Sequence, residues 1–287
     1  MQGWTIGRVL EWSMEYLHKK DSSSPRLEAQ LLLAETLNRN KLYLFMNYDQ
    51  PLDEGELADF KALLKRRAGG EPAAYILGRK SFWTLELKVG PGVLIPRPDT
   101  ETLVEAALEL LPKESVNQVL EPGVGSGAVA LSLAVERPEL KIMATDVSAE
   151  AIECARENAA RLGMEDRLDL LQGDLFQPVL GRRFDMILMN PPYVSDDEYD
   201  NLAGEVRRFE PVRALKAGPE GLDVIRPLVR LAPGHLLPGG WLLFEIGAGQ
   251  GPQATALLET GPFEDIAIKN DLAGRNRVAL ARLSEPD

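Results

Sequence analysis

From Gln118 to the C-terminus, short apolar runs alternate with helical stretches, and this alternation limits what the chain can fold into. Val119-Leu120, Ile142 to Thr145, Leu168 to Leu171, Asp185 to Met189 and Trp241 to Ile246 have the length and composition of buried strands. A helical pattern runs from about Ser126 to Glu136, and a second, capped by Ser148, runs to about Leu162. Strands that alternate with helices imply an α/β fold with a mostly parallel sheet and right-handed crossovers. The tail differs. Strands near Ile266–Ile268 and over Arg277–Leu283 are joined by a short link, which implies an antiparallel pair at one edge. No internal repeat or low-complexity tract interrupts the pattern.

The whole chain reads as three pieces: residues 1–72, 73–97 and 98–287. The first is a small helical bundle. Trp4, Val9, Leu10, Met14 and Leu17 form one apolar stripe, and Leu27, Leu31, Leu32, Ala34 and Leu37 form a second after Ser24-Pro25. A third helix spans Asp53 to Arg67 and ends at Gly69-Gly70. The second piece reads as a β-hairpin linker, with Phe82 to Val89 as one strand, Gly90-Pro91-Gly92 as the turn and Val93 to Ile95 as the return. Arg97 to Glu101 then open a helix that runs to about Leu111.

Composition removes several function classes. One cysteine, Cys154, excludes a disulfide framework and a multi-thiolate zinc site. His18 and His235 are the only histidines, so a histidine-rich metal centre is excluded and no metal is expected. No apolar run approaches a membrane span. The stretch Met1-Gln2-Gly3-Trp4 lacks the basic-then-apolar pattern of a secretory leader, so a cytoplasmic location is expected. The net charge is −12 and is unevenly placed: residues 1–80 hold 12 basic and 11 acidic side chains, residues 81–287 hold 20 and 33. Stable nucleic-acid binding is not expected of so acidic a second part, because phosphate binding needs basic side chains that displace counterions.

Glu121-Pro122-Gly123-Val124-Gly125-Ser126-Gly127 follows the first strand of the alternating region and opens a helix. Glycines here let the backbone turn tightly and approach a ligand beyond the carboxyl end of the sheet. The next strand ends at Asp146, where a carboxylate can accept both hydroxyls of a ribose. Gly123, Gly125 and Ala128 also fit the dinucleotide pattern G-x-G-x-x-A, and a purely structural turn fits as well. Glu121 favours a cationic ligand over a pyrophosphate. Asp174, Leu175 and Phe176 follow the third strand; they fit a polar contact with an apolar wall for an adenine ring, or simple core packing.

The fourth strand ends in Asn190-Pro191-Pro192-Tyr193. Two prolines remove two amide donors, which leaves carbonyls and the Asn190 side-chain oxygen as acceptors. Such a cluster suits a planar NH2 group with two protons to donate, and Tyr193 offers an aromatic face for a flat substrate group.

The glycine loop, Asp146 and Asn190 to Tyr193 resemble class I S-adenosylmethionine-dependent methyltransferases that modify planar nitrogens. Together with Phe82-Trp83, Leu94 to Glu101, Asn190 to Val194 and Phe209-Glu210-Pro211, they are similar to the PrmC/HemK family of release factor glutamine methyltransferases. The resemblance covers nearly the whole chain. It implies a Rossmann-like methyltransferase domain behind a helical substrate-recognition domain. It also implies methyl transfer from S-adenosylmethionine, with S-adenosylhomocysteine as product, to the glutamine amide in the Gly-Gly-Gln motif of class 1 peptide chain release factors. By that resemblance Glu121, Gly123, Val124, Gly125, Ser126, Gly127, Asp146, Asp174, Leu175 and Asn190 bind the cofactor. Asn190, Pro191, Pro192 and Tyr193 hold the substrate amide, whose two protons go to Asn190 Oδ1 and the Pro191 carbonyl. A monomer is expected. The chain departs from the family pattern at Pro122 and Val124, where Leu and Thr are usual, and at Leu175, where an aromatic is frequent. Arg97 and Glu101 fit either the mouth of the crevice or a surface ion pair and helix-start charge. The helical domain fits either a grip on the release factor or a stabilising appendage. A methyltransferase acting on the adenine amino group of DNA or RNA shares the Asn-Pro-Pro-Tyr logic and is the alternative.

Overall fold

The computed structural model describes residues 3–111 and 117–285. Met1 and Gln2, part of the stretch inspected for a leader, lie outside them. The chain divides into two compact units, Met1–Gly78 with Ala203–Phe209, and Arg79–Leu202 with Glu210–Asp287.

The first unit holds α1 (Ile6–His18), α2 (Pro25–Thr36), α3 (Lys41–Met46), α4 (Glu54–Ala68), α5 (Ala73–Leu77) and the short α10 (Gly204–Phe209). Local chemistry fixes the helix starts. Thr5 and Asn40 cap α1 and α3, Pro25 occupies the first turn of α2, and Asp53 with Glu56 forms a reciprocal capping box on α4. Ile6, Leu10, Leu17, Leu32, Leu33, Leu44, Phe60 and Leu64 make one buried core. Arg67 is buried in this unit and is paired with Glu28 and Glu205.

In the second unit β1 (Arg79–Phe82) and β2 (Leu85–Lys88) form an antiparallel hairpin. Its turn is at Trp83-Thr84, where Trp83 takes a positive φ of 53°. This corrects the expected hairpin. Gly90-Pro91-Gly92 does turn, with the Val93 N–H donating to the Gly90 carbonyl, but Val93 to Ile95 pairs with no strand. The Ile95 N–H that a ladder would have used donates instead to Glu210 Oε2 at 3.2 Å. Pro91 and Pro96 remove further donors from this segment, which favours such a side-chain anchor over a ladder.

Beyond α6 (Glu101–Leu110) lie β3 (Gln118–Pro122), α7 (Ala128–Glu136), β4 (Lys141–Asp146), α8 (Ala149–Arg161), β5 (Leu168–Gln172), β6 (Phe184–Met189), α9 (Asp196–Asp200), α11 (Ile225–Leu231), β7 (Leu236–Glu245), α12 (Gly251–Glu259), β8 (Phe263–Asn270) and β9 (Asn276–Leu283). The seven-stranded sheet has the order β5-β4-β3-β6-β7-β9-β8. Pairings from β5 to β7 are parallel, and β9 lies antiparallel between β7 and β8, which forms the expected edge pair.

Both faces of the sheet are covered. Val119, Ile142, Met186 and Leu243 enter one core with Leu103, Leu133 and Ile152 from α6, α7 and α8. Their chain neighbours Leu120, Met143, Ile187 and Leu242 enter the other with Leu228 and Leu258 from α11 and α12. Alternate residues of a strand point to opposite faces, so a continuous apolar run is what a doubly covered strand requires. The order reverses between β3 and β6, and in open α/β sheets the ligand crevice opens at such a switch point, outside the carboxyl ends of the strands.

Candidate active site

The carboxyl ends of β3 and β6 are neighbours in the sheet, which brings the glycine loop and Asn190 to one cleft of about 200 Å³. Glu121, Gly123, Val124, Gly125, Ser126, Asp146, Asp174, Leu175, Asn190 and Pro192 all line it. Gly127, Pro191 and Tyr193 do not.

The loop is shaped by its glycines. Gly125 sits at φ 55°, and a β-carbon there would meet nothing within 4 Å, so this glycine serves the backbone conformation and leaves the cleft open. Gly127 sits at φ 82° where α7 begins, and a β-carbon there would meet Leu131 Cδ1 at 3.0 Å. The N–H groups of Gly123 and Val124 donate to the Thr145 carbonyl of β4. Pro122 is buried and does not line the cleft.

Two carboxyls face this cavity from neighbouring strands. Glu121 is 2% exposed, and its Oε2 accepts the Ala130 N–H at 2.8 Å from the first turn of α7. Burial pushes its carboxyl well above the ordinary carboxylate range; the Ala130 bond opposes that shift and the nearby Asp146 adds to it. Asp146 accepts from Ser148 N at 2.9 Å through Oδ1 and from Gly125 N at 3.0 Å through Oδ2. Burial raises its pKa too, while these backbone bonds and the charge of Arg213 hold it down.

Leu175 reaches the cleft because it takes a positive φ of 43°, and its carbonyl accepts the Thr145 hydroxyl at 2.9 Å. Phe176 does not reach it. That ring is buried and stacked on His235 with centroids 4.6 Å apart, so of the two candidates for an apolar wall only Leu175 is available.

Asn190 Nδ2 donates to Thr100 Oγ1 at 3.1 Å. Asn190 Oδ1 and the Pro191 carbonyl accept no hydrogen bond from the described residues. The ring of Tyr193 packs against the core layer that holds α11 and α12, and its hydroxyl donates to Glu245 Oε1 at 3.0 Å. Its carbonyl accepts from Gln250 Nε2 at 3.0 Å. Tyr193 therefore anchors the loop, and its hydroxyl points away from the cleft lining. Burial, with the Glu245 charge second, raises the phenol pKa, so the hydroxyl keeps its proton.

Arg97 and Glu101 are both engaged outside the cleft lining. Arg97 Nη2 bonds Glu210 Oε1 at 2.6 Å, and Glu101 Oε1 accepts the Trp83 N–H at 2.9 Å. Glu210 thus holds the segment that carries Val93, Leu94 and Pro96 into the cleft wall, which explains physically why two distant sequence motifs occur together. Thr100, Met189 and Arg213 also line the cleft and were not singled out from sequence. Among the described residues there is no cluster of metal-binding side chains, and no helix is long and apolar enough to cross a membrane.

Fold and cleft together define a class I S-adenosylmethionine-dependent methyltransferase. A methyltransferase from Pyrococcus furiosus has the same fold, with a TM-score of 0.53 and 20% identity over 71% of this chain and 92% of that one. The PrmC N-terminal domain matches residues 8–78 and the Methyltransferase small domain matches residues 100–218. The release factor glutamine methyltransferase of Geobacter sulfurreducens is 41% identical over 280 residues, covering 98% of this chain and 97% of that protein. That of Vibrio cholerae is 43% identical over 281 residues, covering 97% and 96%. The chain belongs to the release factor glutamine methyltransferase family.

Proposed function

We infer that Asn190 Oδ1 and the Pro191 carbonyl accept the two protons of a glutamine side-chain amide and hold its nitrogen toward the bound methyl donor. The observation that carries this reading is the Asn190 amide itself, whose NH2 is committed to Thr100 and whose oxygen is left uncommitted. An amide nitrogen is a weak nucleophile because its lone pair is delocalised. Accepting its two protons orients the group and raises electron density on nitrogen.

The donor set of the cleft fits S-adenosylmethionine. Glu121 offers a carboxylate for its cationic part, Asp146 for the ribose hydroxyls, and Leu175 with Val147 an apolar wall for the flat base. Gly123, Val124, Gly125, Ser126, Gly127 and Asp174 complete the cradle. Once bound, the cofactor supplies an electrophilic methyl on a positively charged sulfur and leaves as neutral S-adenosylhomocysteine. Held by Asn190 Oδ1 and the Pro191 carbonyl, the glutamine nitrogen would be aligned to accept that methyl, the displaced sulfur keeping the electron pair. The nitrogen then releases one proton to solvent. Neither Asn190 nor Pro191 is a base, so these residues act by alignment, an effect worth several kcal/mol when the reacting atoms are held in line.

The substrate is the glutamine of the Gly-Gly-Gln motif in class 1 peptide chain release factors. The first unit, which matches the PrmC N-terminal domain, grips the release factor away from that glutamine. Full-length similarity to release factor glutamine methyltransferases leaves the adenine-methyltransferase alternative without support. Release factor incubated with the protein and S-adenosylmethionine should gain one methyl, located by peptide mass spectrometry on the Gly-Gly-Gln glutamine. A methyl elsewhere, or on DNA or RNA alone, contradicts the reading.

A further inference from the structure

The turn that carries the Pro191 carbonyl is held at both ends. At its start, Asn190 directly follows β6, and its Nδ2 donates to Thr100 Oγ1 at 3.1 Å. At its end the Tyr193–Val194 peptide is bonded on both sides. The Tyr193 carbonyl accepts from Gln250 Nε2 at 3.0 Å, and the Val194 N–H donates to the Leu215 carbonyl at 2.9 Å. Between these points the rings of Pro191 and Pro192 fix φ at about −65°. Few free rotations remain, so the direction of the Pro191 carbonyl follows from where the two ends are held.

Gln250 was not singled out from sequence, and both ends of its side-chain amide are engaged. Its Oε1 accepts the Gly247 N–H at 2.8 Å. Its Nε2 faces three carbonyls, that of Tyr193 at 3.0 Å and those of Glu220 and Gly221 at 3.3 Å. Carbonyls only accept and a backbone N–H only donates, so the amide has one possible orientation. A single side chain thus ties the turn after β6 to the loop after β7 and to residues 220–221. Two glycines leave room for it. Gly221 takes a φ of 69°, and a β-carbon there would overlap the Tyr193 carbonyl oxygen and stand 2.7 Å from Gln250 Nε2. A β-carbon at Gly247 would stand 3.1 Å from Gln250 Oε1.

We propose that Gln250 is a positioning residue for methyl transfer: by holding the Tyr193 carbonyl, it aims the Pro191 carbonyl at the substrate amide. Gln250 does not line the cleft and acts through the turn alone. The inference rests on the acceptor role assigned to the Pro191 carbonyl above.

Gln250→Ala removes the clasp. Gln250→Glu keeps its shape and its acceptor for the Gly247 N–H, but when ionised it turns a carboxylate on three carbonyls. Methyl transfer should be measured at saturating release factor and cofactor, together with KM for release factor. Calorimetric titration with S-adenosylmethionine gives both the affinity and the fraction of protein that binds. Both variants should lose about 10²-fold in kcat at neutral pH, the scale of a small misplacement of reacting groups. KM and cofactor affinity should stay near the wild type.

As pH falls, the carboxyl of Gln250→Glu gains a proton that it can donate to the Tyr193 carbonyl. Its kcat relative to the wild type should then climb, while the same ratio for Gln250→Ala stays flat. A flat ratio for both variants would overturn the proposal. So would a loss that vanishes once turnover is divided by the cofactor-binding fraction, because that is a folding defect. Asn190→Ala in the same series keeps the two ideas apart. If it is inactive while both Gln250 variants are fully active, only the positioning proposal falls. If Asn190→Ala is itself active, the acceptor reading falls and the positioning proposal falls with it.

Discussion

The two compact units bury polar groups in opposite ways. Among the described residues of the first, the buried polar side chains are Ser13, Gln30 and Arg67. Each hydrogen bond or ion pair seen there serves local structure: Ser13 bonds the Val9 carbonyl, and Arg67 has Glu28 and Glu205 on it. Among its described residues the second unit buries Glu121, Glu210, Glu245, Asp271 and Arg277, and leaves Arg137 Nε, Glu245 Oε2 and Arg277 Nε without partners. Orphaned buried atoms are rare because they cost free energy. Two of the three belong to neighbouring side chains, since Arg277 Nη1 lies 4.0 Å from Glu245 Oε1, and the third is at the end of α7. One unit is built for stability, while the other gives some stability up to hold a site.

The largest effect is expected at Arg67. Arg67→Ala leaves Glu28 and Glu205 without their shared cation. It should cost about 3–5 kcal/mol, the scale for breaking a buried ion pair. The loss should appear as faster hydrogen exchange in α2 and α4, with S-adenosylmethionine affinity unchanged by calorimetry. A matching loss of cofactor affinity would show that the units do not divide their tasks in this way.

Glu121→Gln sharpens the contrast from the other side. The folded pKa of Glu121 is raised above its unfolded value, so the folded state holds the proton more tightly. As pH rises from the ordinary carboxylate range through the raised value, ionisation in the interior takes stability away. At neutral pH the glutamine variant without cofactor should therefore melt higher, by about 2–4 °C per kcal/mol recovered in a chain of this size. Its affinity for S-adenosylmethionine should fall about tenfold, or about 1.4 kcal/mol. In the wild type, affinity should weaken as pH falls through the raised pKa. A variant that lost stability and kept its affinity would assign Glu121 to the fold alone.

The smallest effect is expected where both units follow ordinary rules. Asp53→Ala removes one side of the capping box on α4. It should cost about 1 kcal/mol in urea unfolding, with kcat for methyl transfer unchanged.

The parallel sheet was legible because strands covered on both faces read as unbroken apolar runs. Its polar strand ends were legible for the same reason, since Glu121, Asp146 and Asn190 each close such a run. Two sheet-covering helices were missed. α11 is short and contains Pro227, and α12 begins with Gly251-Pro252, so neither carries a strong helical signal. The hairpin was misplaced because Gly90-Pro91-Gly92 is a stronger turn signal than Trp83-Thr84, at whose turn the Trp83 N–H donates to the distant Glu101 carboxylate.

The supports of the site were beyond reach for another reason. Thr100 meets Asn190 across 90 residues of chain, and Glu245 meets Tyr193 across 52. Such pairings exist only once the strand order is known. The available clue was Glu245 itself, a charge at the end of a strand that is otherwise apolar.

The role proposed for the Asn190 oxygen is that of an acceptor for the substrate amide. Asn190→Ala tests it most directly, assayed for glutamine methylation of release factor beside calorimetric titration with S-adenosylmethionine. The expected result is a kcat loss of about 10²–10³-fold with cofactor binding largely kept. Turnover near that of the wild type would contradict the account.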